Sequence, residues 1–158
     1  MRKNLLALLL LASLAFPFSA AAEGFDIRKV RWGMARAEVV ASEKGTNSKR
    51  QRDAAGMIIF DAMLFESSGK IAYAFNKETN LLESVTYILF QKDSASASAF
   101  FNALDESLKK TFKPVEDKRI APADVEFLRV YQNSRTRVTL ANIYKKEKAL
   151  SLQFAQIK

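Results

Sequence analysis

The sequence contains neither cysteine nor histidine among its 158 residues. Without these two residue types the chain cannot form a disulfide, a Ser-His-Asp triad or a Cys-His pair. The usual zinc sites also lose their commonest ligands. Most hydrolase and redox functions are therefore excluded, and we predict no catalytic residue, no metal site and no cofactor.

Glycine is scarce and scattered. The five glycines stand at positions 24, 33, 45, 56 and 69. A phosphate-binding loop needs several glycines close together, so that its backbone can approach the phosphate. The sequence therefore contains no phosphate-binding loop of this kind.

Long apolar runs are also scarce, and the only one lies at the beginning of the chain. It extends from Leu5 to Phe16, follows the cations Arg2 and Lys3, and precedes the small residues Ser19–Ala22. A charged start, an apolar stretch and a small-residue end are typical of a cleavable secretory signal peptide. We predict that residues 1–22 are such a signal peptide.

The predicted signal peptide decides what we expect of the rest of the chain. Its apolar run is too short for a membrane span, which needs about 20 apolar residues. The chain also has no cysteine to carry a lipid. After cleavage we therefore expect residues 23–158 to form a single α+β domain that neither spans a membrane nor carries a lipid anchor. Its expected location is periplasmic or secreted.

Positive charge is in excess, with 25 lysines and arginines against 17 acids, a formal charge of +8. The signal peptide holds two of these cations and no acid, which leaves 23 − 17 = +6. Such an excess favours an anionic envelope component or an acidic protein as partner. The alternative is that the charge only maintains solubility. Nucleic acid is not an expected partner, because the protein leaves the cytoplasm.

Hydrophobic periodicity predicts an α+β fold, an antiparallel sheet with two helices in the order β-αβββ-αβββ. Residues 25–32 are predicted to be an extended strand or arm, and Met34–Lys44 the first helix. The second helix begins after a cap at Asp93 or Ser94 and repeats large apolar residues every fourth position up to Phe112. The remaining strands are predicted at Met57–Glu66, Lys70–Asn76, Leu81–Gln91, Val125–Gln132, Arg137–Tyr144 and Ala149–Ile157.

Two features of this order carry further expectations. Residues 44–56 contain four cations and no large apolar side chain, which predicts a polar, basic loop. The αβββ order occurs twice, which suggests a structural duplication. The alternative is that αβββ is simply a convenient way to cover a sheet.

Basic residues near the single tryptophan indicate a candidate binding surface. Tryptophan and arginine are the residues most enriched at binding hot spots. The alternative is that a tryptophan beside a helix start belongs to the core. The predicted surface comprises Arg28, Lys29, Arg31, Trp32, Lys49, Arg50 and Arg52.

Serine and lysine could still support chemistry without histidine or cysteine. Ser67 to Lys70 and Ser107 to Lys110 each match the pattern S-x-x-K. Neither is accompanied by the S-D-N and K-T-G elements that would complete such a site. Chance matches are expected in a chain rich in both residue types.

Residues 32–39, Trp-Gly-Met-Ala-Arg-Ala-Glu-Val, resemble the motif W-G-M-[ST]-x-x-E-V, which opens a helix in a group of small exported bacterial domains. Residues 110–117 and 136–140 also fit that group. The resemblance implies a fold similar to outer-membrane lipoproteins of the SmpA/OmlA type and to β-lactamase-inhibitor-protein-like domains, which bind other proteins. Ala35 replaces the capping Ser or Thr, so half of the capping box with Glu38 is missing. Lys113 replaces the usual glycine.

These observations predict a non-enzymatic binding domain of the bacterial cell envelope. It would act by protein–protein recognition or by recognition of an anionic surface. One alternative is an inhibitor of a secreted enzyme. A less favoured alternative is a small hydrolase that uses only carboxylate, lysine or serine chemistry.

Overall fold

A computed structural model describes residues 28–46, 48–54, 56–64, 67–115, 125–143 and 148–157. These residues form two helices and one antiparallel sheet of eight strands, which confirms the predicted α+β class. The predicted signal peptide, residues 1–22, and the beginning of the arm, residues 25–27, lie outside the described residues. In the described ranges no helix combines the length and the apolar character needed to cross a membrane.

The helices and strands are numbered in chain order. The helices are α1 (Arg36–Ser42) and α2 (Ser94–Leu108). After α1 come β1 (Ser48–Ala54), β2 (Met57–Leu64), β3 (Ser67–Phe75) and β4 (Leu82–Phe90). After α2 come β5 (Lys113–Val115), β6 (Phe127–Gln132), β7 (Thr136–Asn142) and β8 (Ala149–Gln156).

Each helix is followed by four strands, where three were predicted. The predicted loop 44–56 is wrong over Ser48–Ala54, because these polar residues form β1 at the edge of the sheet. An edge strand has one partner only and tolerates charged side chains, which also protect it from unwanted pairing. The other missed strand, β5, is the opposite edge, where the absent N–H of Pro114 is tolerated.

The predicted first strand also differs from the structure in its described part. Residues 28–34 form turns with a single bridge position at Val30. Arg28 and Lys29 both have positive φ angles, 39° and 63°. A left-handed pair of this kind turns the chain sharply and cannot continue a strand.

The sheet has the strand order β1-β2-β3-β4-β8-β7-β6-β5, and every pairing is antiparallel. Strands β1–β4 pair in sequence on one side, and strands β5–β8 pair in sequence on the other. The two sets meet where β4 pairs with β8, for example Val85 opposite Phe154. The two halves of the chain therefore form the two halves of one continuous sheet.

Large apolar side chains lie on one face of this sheet, which we call the covered face. Alternation along the strands brings them to the same side. Trp32, α1 and α2 pack against them, and the Phe112 and Phe154 rings lie 6.3 Å apart. The buried apolar strand residues of this face are Ile58, Phe60, Ala62, Ile71, Tyr73, Phe75, Leu82, Val85, Tyr87, Leu89, Tyr131, Val138, Leu140, Leu150, Leu152 and Phe154.

The helix ends confirm two local predictions. The Glu38 carboxylate accepts a hydrogen bond from the Ala35 backbone N–H at 2.7 Å, while Ala35 has no hydroxyl to complete the capping box. At α2, the Asp93 carboxylate accepts a hydrogen bond from the Ser96 N–H at 2.7 Å. Both carboxylates also lie where the helix dipole favours negative charge.

Candidate functional site

The opposite side of the sheet, which we call the open face, is formed by strand residues of the other parity. Among the described residues of this parity in the central five strands, the small residues Ala141 and Ala149 are buried. The others, which are not buried, are Met57, Ile59, Asp61 and Met63 of β2; Ser68, Lys70, Ala72 and Ala74 of β3; Ser84, Thr86, Ile88 and Phe90 of β4; Ser151, Gln153 and Ala155 of β8; and Arg137 and Thr139 of β7.

The middle of the open face carries short, neutral side chains. Ala72 pairs with Thr86, which pairs with Gln153, which pairs with Thr139. The neighbouring row carries alanines and a serine across β3, β4 and β8. Short side chains leave the strand backbone close to the surface, so another molecule can approach it over a broad, low area.

Charges lie toward the margins of the open face and are mostly positive. Lys49 of β1 stands opposite Asp61, and the Lys70 Nζ donates a hydrogen bond to the Asp61 Oδ1 at 2.9 Å. Arg137 lies on the far side, on β7. The cations Lys49, Lys70 and Arg137 of this face thus outnumber its acid Asp61. The field over the face is therefore attractive to anions.

A second notable feature is a carboxylate buried beneath the covered face. Glu43 follows α1, and only 2% of its side chain is exposed. The Arg28 guanidinium donates to both of its oxygens, at 3.0 and 3.2 Å. The hydroxyls of Ser48 and Tyr73 also donate to it, the former at 2.7 Å. The hydroxyl of Thr46 donates at 2.8 Å.

These contacts decide the charge of the Glu43 cluster, defined as Glu43 with its donors Arg28, Thr46, Ser48 and Tyr73. Burial alone would raise the pKa of Glu43, but the hydrogen bonds from Arg28, Tyr73, Ser48 and Thr46 outweigh it and hold the pKa below its ordinary value. Burial and the nearby carboxylate raise the pKa of Tyr73. Glu43 is therefore ionised, and its oxygens are occupied by donors. The cluster holds elements together and has no free base for catalysis.

The structure separates the residues of the predicted binding surface. The Trp32 side chain is 8% exposed, and its indole Nε1 donates to the Thr136 Oγ1 at 3.0 Å. The ring therefore belongs to the core, as the alternative interpretation held. Arg28 is engaged by Glu43, whereas Lys29 and Arg31 are exposed.

The predicted basic residues of β1 point in different directions. Lys49 pairs with Asp61 and belongs to the open face. Arg50 pairs with Phe60 of the covered face and forms an ion pair with Asp53. Arg52 pairs with Ile59, after a bulge in the strand. Of the seven predicted residues, Lys49 and Arg52 stand opposite residues of the open face in the register.

The S-x-x-K matches do not converge on a catalytic geometry. Ser67 and Lys70 are three positions apart on β3, so their side chains project from opposite faces of the sheet. The Lys70 amine is bound to Asp61. Ser107 and Lys110 lie at the end of α2, where Lys110 is exposed. Within the described ranges, no three acids cluster in a way that could hold a metal ion.

The open face was not predicted as a site, although part of its signal is visible in the sequence. Strand β3 alternates large Ile71 and Tyr73 with small Ala72 and Ala74. That alternation predicts which side chains share a face. It does not predict that the small ones remain uncovered, because this depends on where both helices pack.

Comparisons with known proteins give no further information on this geometry. No protein-family model matches the chain, and no curated protein or solved structure matches it. The function is therefore argued from the geometry and the sequence.

Proposed function

We propose that the protein is a non-enzymatic binding domain of the bacterial cell envelope, periplasmic or secreted, that recognises an acidic protein partner through the open face. The observation that carries this proposal is the contrast between the two faces. Both helices pack on one of them, while the other presents mostly small neutral side chains in its middle, with cations and the exposed apolar side chains of Met63 and Phe90 toward its margins. An uncovered face of this composition is suited to contact with another macromolecule.

The size of the open face supports a protein as partner. Five strands at about 4.8 Å spacing and seven residues at about 3.3 Å each give an area on the order of 500 Å². A standard interface buries about 800 Å² on each partner, so the face and its rim together approach that size. The short side chains of Ala72 and Thr86 allow a partner to pack closely. Lys49 and Lys70 would attract an acidic surface toward the open face.

The envelope location and the family relation belong to this proposal as well. The location is supported by the signal peptide predicted for residues 1–22. Kinship with SmpA/OmlA-type and β-lactamase-inhibitor-protein-like domains is supported by the motif at residues 32–39 and by the combination of an antiparallel sheet with short helices. A partner that proved to be a secreted enzyme would make the protein an inhibitor, which an activity assay on that enzyme would test.

We also propose that the two halves arose by duplication. Each half consists of one helix followed by four antiparallel strands, and the strand order reads in opposite directions from the β4–β8 junction. The halves share no convincing residue-by-residue match. Related sequences whose two halves align with each other would support the proposal. Two halves that failed to superpose strand for strand, β1–β4 on β5–β8, would contradict it.

The central experiment compares two matched substitutions. Ala72→Glu places a long anion in the middle of the open face, whereas Ala37→Glu places it on the exposed side of α1. Both variants should fold, as checked by circular dichroism. Immobilised wild type and Ala37→Glu should capture the same stoichiometric partner from envelope extracts at low salt, and Ala72→Glu should lose it, because its carboxylate repels an acidic surface. Retention by Ala72→Glu would refute the proposal.

An anionic lipid surface is the competing outcome of the same experiment. Vesicles containing phosphatidylglycerol can be sedimented with the same three proteins. If Ala72→Glu abolished vesicle binding while no protein partner was captured by the wild type, the open face would recognise lipid, and the protein-partner proposal would be wrong.

A further inference from the structure

A shallow groove crosses the end of the sheet where β2 and β4 finish. One part, of about 560 Å³, lies between Lys49, Met63, Lys70 and Phe90. The adjoining part, of about 390 Å³, extends from Phe90 to Lys92 and the first turn of α2. Ser68 and Phe90 line both parts, so the two form one elongated depression. Each part is within the range of volumes in which proteins bind small molecules.

The groove combines apolar and cationic groups. Met63 is 57% exposed and Phe90 is 37% exposed, which makes them two of the few large apolar side chains at the surface of the described residues. Lys49, Lys70 and Lys92 line the same depression. The accompanying acid is Asp61, which accepts one hydrogen bond from Lys70. An ammonium has three donors, so Lys70 retains two for another anion.

The arrangement of these groups is asymmetric along the groove. Lys49 on β1 and Lys70 on β3 lie on either side of β2, each opposite Asp61 in the register. Phe90 lies farther along and separates this pair from Lys92. A small hydrophilic anion would use the lysine pair and leave Met63 and Phe90 in contact with water. A neutral apolar ligand would leave the lysines unused.

We propose that the groove binds a single-chain anionic amphiphile, with its headgroup at Lys49 and Lys70 and its alkyl chain along Met63 and Phe90 toward α2. Charge complementarity accounts for the headgroup, and burial of exposed apolar surface accounts for the chain. This site goes beyond the proposed function, because it requires no protein partner and lies at one end of the open face.

The first test is calorimetric titration of the wild-type protein with dodecyl phosphate below its critical micelle concentration. Saturable binding of one molecule per chain is expected. Inorganic phosphate, which has the headgroup only, should bind at least about tenfold more weakly, because two buried methylene groups already supply that factor. Dodecyltrimethylammonium, which has the same chain and the opposite charge, should not bind. Equal binding of the cationic amphiphile would overturn the proposal, as would absence of binding by dodecyl phosphate.

The second test locates the ligand. Phe90→Ser should weaken dodecyl phosphate binding about tenfold by removing the apolar wall. Leu81→Ser is the matched control, because Leu81 is 39% exposed and stands next to the opposite end of β4. It should bind within twofold of wild type. Equal weakening by both substitutions would place the ligand elsewhere and contradict the proposal.

The third test concerns the charge. Lys49→Gln should weaken dodecyl phosphate binding, and Lys77→Gln, in the exposed β3–β4 turn, should not. These titrations use purified protein and defined ligands, so a negative result would leave the partner-capture experiment with Ala72→Glu unaffected. Conversely, failure to capture a partner would leave the groove intact as a ligand site.

Discussion

The two halves of the molecule contain a similar contact in different surroundings. In the first half, the Tyr73 hydroxyl on β3 donates to Glu43 at the end of α1. In the second half, the Tyr131 hydroxyl on β6 donates to Asp105 of α2. The Glu43 side chain is 2% exposed and the Asp105 side chain 14% exposed. The same type of contact is thus made in the core in one half and near the surface in the other.

This difference determines how much each contact matters to folding. The Glu43 carboxylate is almost fully shielded from water, so the hydrogen bonds from four side chains replace its hydration. Asp105 keeps some contact with solvent and is also held by Lys109 at 2.8 Å. Removing the acid from a buried ion pair leaves an uncompensated charge, which costs far more than the net gain of forming the pair. Removing the acid should therefore destabilise the protein more in the first half than in the second.

The largest expected effect is that of Glu43→Ala. The substitution leaves the Arg28 guanidinium and the Tyr73 hydroxyl without their acceptor, so the free energy of unfolding should fall by about 3–5 kcal/mol. Asp105→Ala is the matched control and should cost about 1 kcal/mol, the value of an ordinary hydrogen bond. Urea unfolding followed by circular dichroism measures both. Equal losses would show that burial does not distinguish the two contacts.

Lowering the pH should reduce the stability that Glu43 contributes. The pKa of Glu43 is lower in the folded protein than its ordinary value of 4.5. A lowered pKa contributes stability that is fully present above the ordinary value and is lost as the pH falls through the lowered one. The free energy of unfolding should decline below about pH 4.5 more steeply in wild type than in Glu43→Gln. The pKa of Asp105 is also lowered, so Asp105→Asn serves as the comparison variant. If the free energy of unfolding fell with pH equally in wild type and Glu43→Gln, ionised Glu43 would not contribute this stability.

A hydrogen bond that crosses between the halves gives the next effect in size. Trp32 precedes α1, yet its indole donates to Thr136 at the start of β7, and Thr136 is itself buried. Trp32→Phe keeps an aromatic ring and removes the donor, so it should cost about 1–2 kcal/mol through the unsatisfied hydroxyl. The double variant Trp32→Phe with Thr136→Val removes both partners and should recover part of that loss. If it recovered none, the loss would arise from packing alone.

The parts of the fold that were predicted from sequence are those with a periodic pattern. Large apolar residues recur every fourth position in the second helix and alternate with smaller or polar residues in β3 and β8, while β2 is a nearly continuous apolar run. Strand β1 carries no such pattern, because an edge strand can be satisfied with polar side chains. Strand β5 is three residues long and contains Pro114, which also signals a helix end.

Periodic patterns of this kind do not predict the Glu43 cluster or the open face. Arg28 and Tyr73 lie 15 and 30 residues from Glu43 in the chain, so no local spacing connects them. Likewise, the basic residues 49 and 50 are neighbours in sequence, yet alternation along β1 sends their side chains to opposite faces. Both features arise from chain folding over long separations, which a single sequence does not display.

The smallest expected effect on stability concerns the open face. Lys70→Ala removes the ion pair with Asp61, whose partners are both well exposed to solvent. Water and salt screen such a pair, so the loss should be at most about 0.5 kcal/mol. The same substitution should weaken both partner capture and dodecyl phosphate binding, because it takes a cation from the margin of the face. A variant that unfolds like wild type but binds less would show that Lys70 serves recognition. If Lys70→Ala instead lost as much stability as Glu43→Ala and bound as well as wild type, Lys70 would serve the stability of the fold.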